Sequence, residues 1–197
     1  MRKYGVISAA ALVFLAFEIS GCNTNIEPVI PSAGEHYGKQ TDGSYIIDPS
    51  NFTVWYGAFM NGDTIQFSGG GVYYLFPAGD FNINEYDSLV ISYTTSGATL
   101  NSGDHLEITV KAITNNFTAL IASGGDYGTD ITYQWLPGSN EQDQLGDGDF
   151  TIDASTTPRT FAAFKNTDIV GLCLQASGPI TSYNLKINSM TFMPPTP

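Results

Sequence analysis

The chain of 197 residues is poor in positive charge: 7 Lys and Arg stand against 19 Asp and Glu, a net charge of −12. So acidic a surface repels phosphate backbones and argues against nucleic acid as a partner. Cations and neutral ligands remain compatible with it. Cysteine is scarce too. Cys22 and Cys173 are the whole complement, so no disulfide framework is expected. His36 and His105 are isolated in the sequence and give no zinc-type spacing. A Gly-x-Ser-x-Gly nucleophile elbow is missing. Gly69-Gly70-Gly71 lacks the Lys and following helix of a phosphate loop and reads as a flexible turn. Glycoside hydrolysis takes two carboxylates flanking the bond. Glu107 stands alone on the outward face of a clear strand, and Asp130 and Asp168 at strand edges have no evident mate, so catalysis is not expected. No segment has a helical period with caps.

What is present begins at the N-terminus. Arg2 and Lys3 precede an apolar stretch, Val6 to Phe17, broken only by Ser8 and followed by Glu18. A basic start, a short apolar core and small residues after it make an export signal. The stretch is shorter than the roughly 20 residues of a membrane span. The tetrad Ile19-Ser20-Gly21-Cys22 resembles the bacterial lipobox, in which an aliphatic residue, a small residue and Gly precede an acylated Cys. That resemblance implies cleavage of residues 1–21 and lipidation of Cys22. Several acyl chains at one point give an anchor that one chain does not. Asn23, where an Asp would hold such proteins in the inner membrane, implies the outer membrane where there is one. The expected location is the cell envelope, periplasmic or surface-exposed. Loss of the signal leaves 5 cations against 18 acids, a net charge of about −13.

Residues 22–44 are polar and rich in Pro and Gly, and read as a tether. Residues 194–197 read as a frayed tail. The domain expected between them, 45–193, reads as strands throughout. Leu106, Ile108, Val110 and Ala112 alternate with His105, Glu107, Thr109 and Lys111; Leu89, Ile91 and Tyr93 alternate with Ser88, Ser92 and Thr94. This period of two places one face in a core. Further strands are expected at 53–60, 64–67, 72–76, 118–121, 131–136, 150–152, 160–164, 170–176 and 183–192. Many short strands with Gly- and Pro-rich punctuation predict an all-β sandwich or barrel. Within 183–192 the apolar parity slips by one at Asn188-Ser189, as a β-bulge or a switch of buried face would produce. Cys173, within a strand pattern, reads as a small buried hydrophobe.

Two segments carry a second resemblance. Asp80-Phe-Asn-Ile-Asn-Glu-Tyr-Asp-Ser-Leu-Val-Ile-Ser-Tyr93 and Ile180-Thr-Ser-Tyr-Asn-Leu-Lys-Ile-Asn-Ser-Met-Thr-Phe192 resemble strands of galactose-binding-like β-jelly rolls. That resemblance implies a β-sandwich jelly roll and a carbohydrate-binding module, although the same fold also serves protein-binding and structural modules. Sugar recognition needs flat apolar faces and polar groups beside them. Tyr127, Tyr133 and Trp135 precede a polar stretch and form the first candidate platform. Ile131 shares their strand parity, so the stripe fits a core face as well. Trp55 is the second candidate; it adjoins Tyr56, and one of that pair is expected in the core. Glu141, Asp143, Asp147 and Asp149, four carboxylates among glycines, fit either a solvated loop or a cage for Ca²⁺, which takes oxygen ligands. Jelly rolls of the resembling kind often hold a structural Ca²⁺ near the first and last strands, where this chain has Asp48 and Asn188. The function expected is a carbohydrate-binding envelope lipoprotein without catalysis, with the lipid anchor as its only membrane contact. A protein-binding or structural envelope role is the alternative.

Overall fold

The computed structural model describes residues 37–114, 129–136, 145–156, 161–165 and 169–196. They form two antiparallel sheets. Sheet A holds β1 (Gly38–Lys39), β2 (Tyr45–Ile46), β4 (Ala58–Asn61), β5 (Thr64–Ser68), β7 (Ser88–Ser96), β10 (Asp147–Ile152) and β12 (Ser182–Met193). Sheet B holds β3 (Thr53–Trp55), β6 (Gly71–Leu75), β8 (Leu106–Thr114), β9 (Thr129–Leu136) and β11 (Ile169–Ser177). From β5 onward the chain alternates between sheets, apart from the β8–β9 hairpin. The resulting orders are β5-β12-β7-β10 in one sheet and β6-β11-β8-β9 in the other. This is the double Greek key of a jelly roll, the fold class that the sequence predicts.

The period-two pattern builds the core directly. Leu89, Ile91 and Tyr93 of β7, Leu106, Ile108, Val110 and Ala112 of β8, and Leu172 and Leu174 of β11 face one another across the sandwich and are fully buried. One end of this core is aromatic. Phe192 lies within 5.0–6.5 Å, centroid to centroid, of Phe81, Phe76, Tyr86, Phe161 and Phe164. Tyr183 spans the layers, its hydroxyl donating to the Glu107 carbonyl at 2.9 Å. Burial raises the pKa of that phenol, keeping it a donor.

Several expectations change. Residues 160–164, expected as a strand, give the 3₁₀ helix η3 (Phe161–Lys165), in which Phe161 and Phe164 are buried. A spacing of three is the 3₁₀ period. The segment 53–60 splits at Tyr56-Gly57 into β3 and β4, which belong to different sheets. The folded part starts before Tyr45: Gly38 and Lys39 pair with β2, and Lys39 meets Glu85. The expected strand 118–121 lies outside the described residues. The slip in β12 is a bulge. Ile187 pairs with Tyr93 and Ser189 with Ser92, so Asn188 is the extra residue.

Gly69-Gly70-Gly71 is not merely a flexible turn. Here the β5-to-β6 connection passes under the β3-to-β4 connection, and Ser68 N–H donates to the Gly57 carbonyl at 2.6 Å. A β-carbon on Gly70 would fall on the Tyr56 carbonyl, and one on Gly57 would fall on that of Gly69. Glycine is there because two backbones touch.

Three aspartates fasten loops. Asp42 accepts from Ser44, Asp104 from Asn101 and Asp153 from Ser155, and these hydrogen bonds hold all three pKa values below the ordinary carboxylate range. A depressed folded pKa contributes stability above the unfolded value of about 4, and that contribution is lost as pH falls through the folded value. The melting temperature should therefore decline below about pH 4, and Asp153→Asn should make the decline shallower. A melt unchanged down to strong acid contradicts this.

Candidate functional site

The outer face of sheet B is the one that departs from an ordinary solvated strand surface. Backbone register fixes its rows. Trp55 stands opposite Gly71, Gly71 opposite Gln175, and Gln175 opposite Thr109. In the next row Thr53 stands opposite Tyr73, Tyr73 opposite Cys173, and Cys173 opposite Lys111. All have the parity opposite to the core residues Val72, Tyr74, Leu172, Leu174 and Val110, and so project outward. Trp55, Tyr73 and Val170, each half-buried, pack around the fully buried Ile113 and Cys173 to form a second apolar cluster. Gly71 lets β6 approach β11 closely, since a β-carbon there would strike the Leu174 carbonyl.

Polar groups border this cluster. Thr109 donates to Ser177 Oγ at 2.9 Å. Lys111 and Thr109 are buried on the same face. Gln175 carries a buried Oε1 that accepts no hydrogen bond; such an acceptor incurs a desolvation penalty until something donates to it. Glu107 lies beyond Thr109 with His105 Nε2 at 4.0 Å from its carboxylate. Two aromatic rings on one face, an acceptor lacking a donor and a bordering carboxylate suit a ligand with flat apolar faces and many hydroxyls.

The residues singled out from sequence fall as follows. Trp55 is on this face, while Tyr56 is 82% exposed in the β3–β4 connection. Neither fills the inter-sheet core, contrary to expectation, because the chain at Tyr56 is passing from one sheet to the other. Cys173 is buried, but on the outer side of its sheet rather than in the main core. Tyr133 and Trp135 lie in β9 opposite Thr109 and Glu107; their side chains lie outside the described residues, as do Tyr127 and Cys22 entirely. Tyr73, Gln175 and Lys111 were not anticipated. Tyr73 was within reach: in Val72-Tyr73-Tyr74 a strand turns one tyrosine inward and the other outward.

The acidic stretch is not one loop. Asp147 and Asp149 are exposed on β10, two residues apart on the outer face of sheet A; Glu141 and Asp143 lie outside the described residues. Asp147 accepts from Thr94 Oγ1 at 2.5 Å, and Thr94 accepts from Asn188 Nδ2 at 3.0 Å. Asp48 caps the 3₁₀ turn η1 (Pro49–Asn51), accepting from Ser50 N and Oγ. Asp48 and Asn188 thus serve different partners. Among the described residues no group of three His, Cys, Asp or Glu is placed to hold a metal ion.

No family model matches the chain, and no curated protein does. Among solved structures, it is similar to a mutant of a family 29 carbohydrate-binding module, with a TM-score of 0.44 and 10% identity over 76% of this chain and 89% of that one. A second mutant module of the same family gives a TM-score of 0.42 and 12% identity over 76% of this chain and 90% of that one. The jelly-roll strand order is a property of this chain's own register, independent of that likeness.

Proposed function

We propose that this protein is a non-catalytic carbohydrate-binding module, lipid-anchored in the cell envelope through Cys22, and that it holds a neutral glycan on the outer face of sheet B. The observation that carries the reading is the pair Trp55 and Tyr73, held half-buried on the outside of a sheet beside the undonated Gln175 acceptor. Aromatic rings in that position offer their faces to the CH side of a sugar ring, and Gln175, Ser177 and Glu107 offer hydrogen bonds to its hydroxyls. A net charge of −12 disfavours anionic polymers. Among the described side chains this face carries one carboxylate, Glu107, whereas glycosidic hydrolysis takes two; the reading is therefore binding without cleavage. On β9, the next strand, the backbone of Trp135 and Tyr133 stands opposite Glu107 and Thr109 in register.

Trp55→Ala is expected to abolish retardation of the chain in native gels containing the neutral polysaccharide that the parent binds, and Trp135→Ala to weaken it. Trp55 packs outside the main core, so its loss should cost less than the ~3–5 kcal/mol of a truncated core aromatic. If Trp55→Ala and Tyr73→Ala both stay folded and bind every glycan that the parent binds, the platform is not on this face. Anchoring is tested separately. Cys22→Ala should lose lipid labelling and move to the soluble fraction; continued labelling would rule out the anchor.

A further inference from the structure

We infer that the protein has a second ligand site, a cleft on sheet A that takes a single neutral sugar residue or the end of a glycan chain. The cleft follows from the bulge in β12. One flank of that strand pairs with β5 up to Lys186, and pairs with β2 only from Thr191 onward. The gap between the two partners is bounded by Ile187 N–H donating to the Asp63 carbonyl at 3.3 Å and by Ile47 N–H donating to the Met190 carbonyl at 2.9 Å. Asn188 and Ser189, the bulge itself, lie between these bonds. The result is a cleft of about 480 Å³, within the size range of small-molecule sites.

Its lining has the composition such a ligand needs. Ile46 supplies apolar wall over the buried Ile47, Pro49 and Ile187, and the exposed Tyr37 supplies an aromatic ring. Asp63 and Lys186 form an ion pair at 3.3 Å with both side chains about half exposed, 49% and 50%. A carboxylate and an ammonium side by side cancel in charge, which suits a neutral ligand. They also present an acceptor and a donor together, which matches adjacent hydroxyls, each of which both donates and accepts. Asn188 is held in place from behind. Its Nδ2 donates to Thr94 Oγ1 at 3.0 Å; the Thr94 hydroxyl makes its shorter contact with Asp147 and a longer one, 3.4 Å, with the Asn188 carbonyl oxygen, which keeps capacity to accept from a ligand. Ser189 and Thr191 add hydroxyls. This site is on the opposite sheet from Trp55 and Tyr73. The choice of a sugar as its ligand rests on the carbohydrate reading above, but its existence does not.

The test is a heteronuclear NMR titration of the chain from residue 23 onward, which retains every element of the sandwich, with glucose, galactose, mannose, xylose and N-acetylglucosamine in turn. At least one sugar should shift the amide resonances of Ile46, Ile47, Asp63 and residues 187–191. Asp63→Ala and Asn188→Ala, with spectra still dispersed, should each weaken that response about tenfold or more, whereas Trp55→Ala should leave it intact. The inference is overturned if no sugar shifts those resonances, or if the shifts persist unchanged in both cleft variants. Loss of the response in Trp55→Ala would overturn it as well, since a single site would then account for both. A cleft that responds while Trp55→Ala and Tyr73→Ala both leave polysaccharide retention unchanged would instead refute the sheet B platform alone.

Discussion

Gly70→Ala is expected to prevent the sandwich from forming, while the neighbouring Gly69→Ala is tolerated. Both glycines have positive φ, +81° and +74°, so each alanine carries the left-handed penalty of ~1–2 kcal/mol. Only Gly70 has a second cost. Its added methyl meets the Tyr56 carbonyl, whereas the space around Gly69 is open. The Tyr56 backbone cannot yield easily. Gly57, next in sequence, accepts from Ser68 N–H, and a β-carbon on Gly57 would itself strike the Gly69 carbonyl. Relieving the clash means parting the two inter-sheet connections, and with them β3 from β6. Domains of this size have only about 5–15 kcal/mol of total stability. Thermal melts of the two variants should therefore differ widely, with Gly70→Ala giving little or no folded protein. Melting temperatures within a few degrees of each other would mean that the crossing is looser than described.

Phe192→Ala is the second large effect. The ring is fully buried at the centre of the aromatic end, with five ring neighbours, three from the β6–β7 connection and two from η3. Truncating a buried Phe costs ~3–5 kcal/mol, part of it for the cavity that the surrounding rings do not close. A drop of roughly 6–20 °C in melting temperature, at about 2–4 °C per kcal/mol for a domain of this size, is the expected reading. Phe59→Ala makes the comparison. Phe59 is 64% exposed on the edge strand β4, and its loss should leave the melt nearly unchanged. Equal losses from the two substitutions would contradict the placement of Phe192.

The contrast between those phenylalanines shows where sequence reasoning succeeds in this chain. The alternation of Leu106, Ile108, Val110 and Ala112 was enough to find β8 and its buried face, because a strand's period is a local property. The bulge at Asn188 was visible for the same reason. What sequence did not disclose is set by pairing over long distances. Phe161 and Phe164 read as strand residues, since apolar spacing over five positions does not distinguish a short extended segment from a 3₁₀ turn. Trp55 and Tyr56 were expected to divide between core and cleft, but the chain changes sheets between β3 and β4, so the alternation rule stops applying there. The platform face depends on Gln175 and Lys111, polar residues in otherwise apolar runs, whose meeting with Tyr73 is decided by the β6-β11-β8 order. Asp147 and Asp149 looked like loop residues because their glycines are turn signals, yet Gly148 is needed where a side chain would strike the Tyr93 ring.

The bulge in β12 makes that strand a message read in two frames. From Tyr183 to Ile187 the inward residues fall on odd numbers; from Met190 to Phe192 they fall on even numbers. Asn188 is the inserted letter that belongs to neither frame. Its deletion would merge the two frames into one, with Ile187 inward, Ser189 outward and Met190 inward, and every pairing with β7 on either side kept. The surface connections of this jelly roll can gain or lose residues during evolution with little effect on the sheets. β12 can lose this one residue in the same way, and a descendant that did so would keep the sandwich while narrowing the gap between β5 and β2.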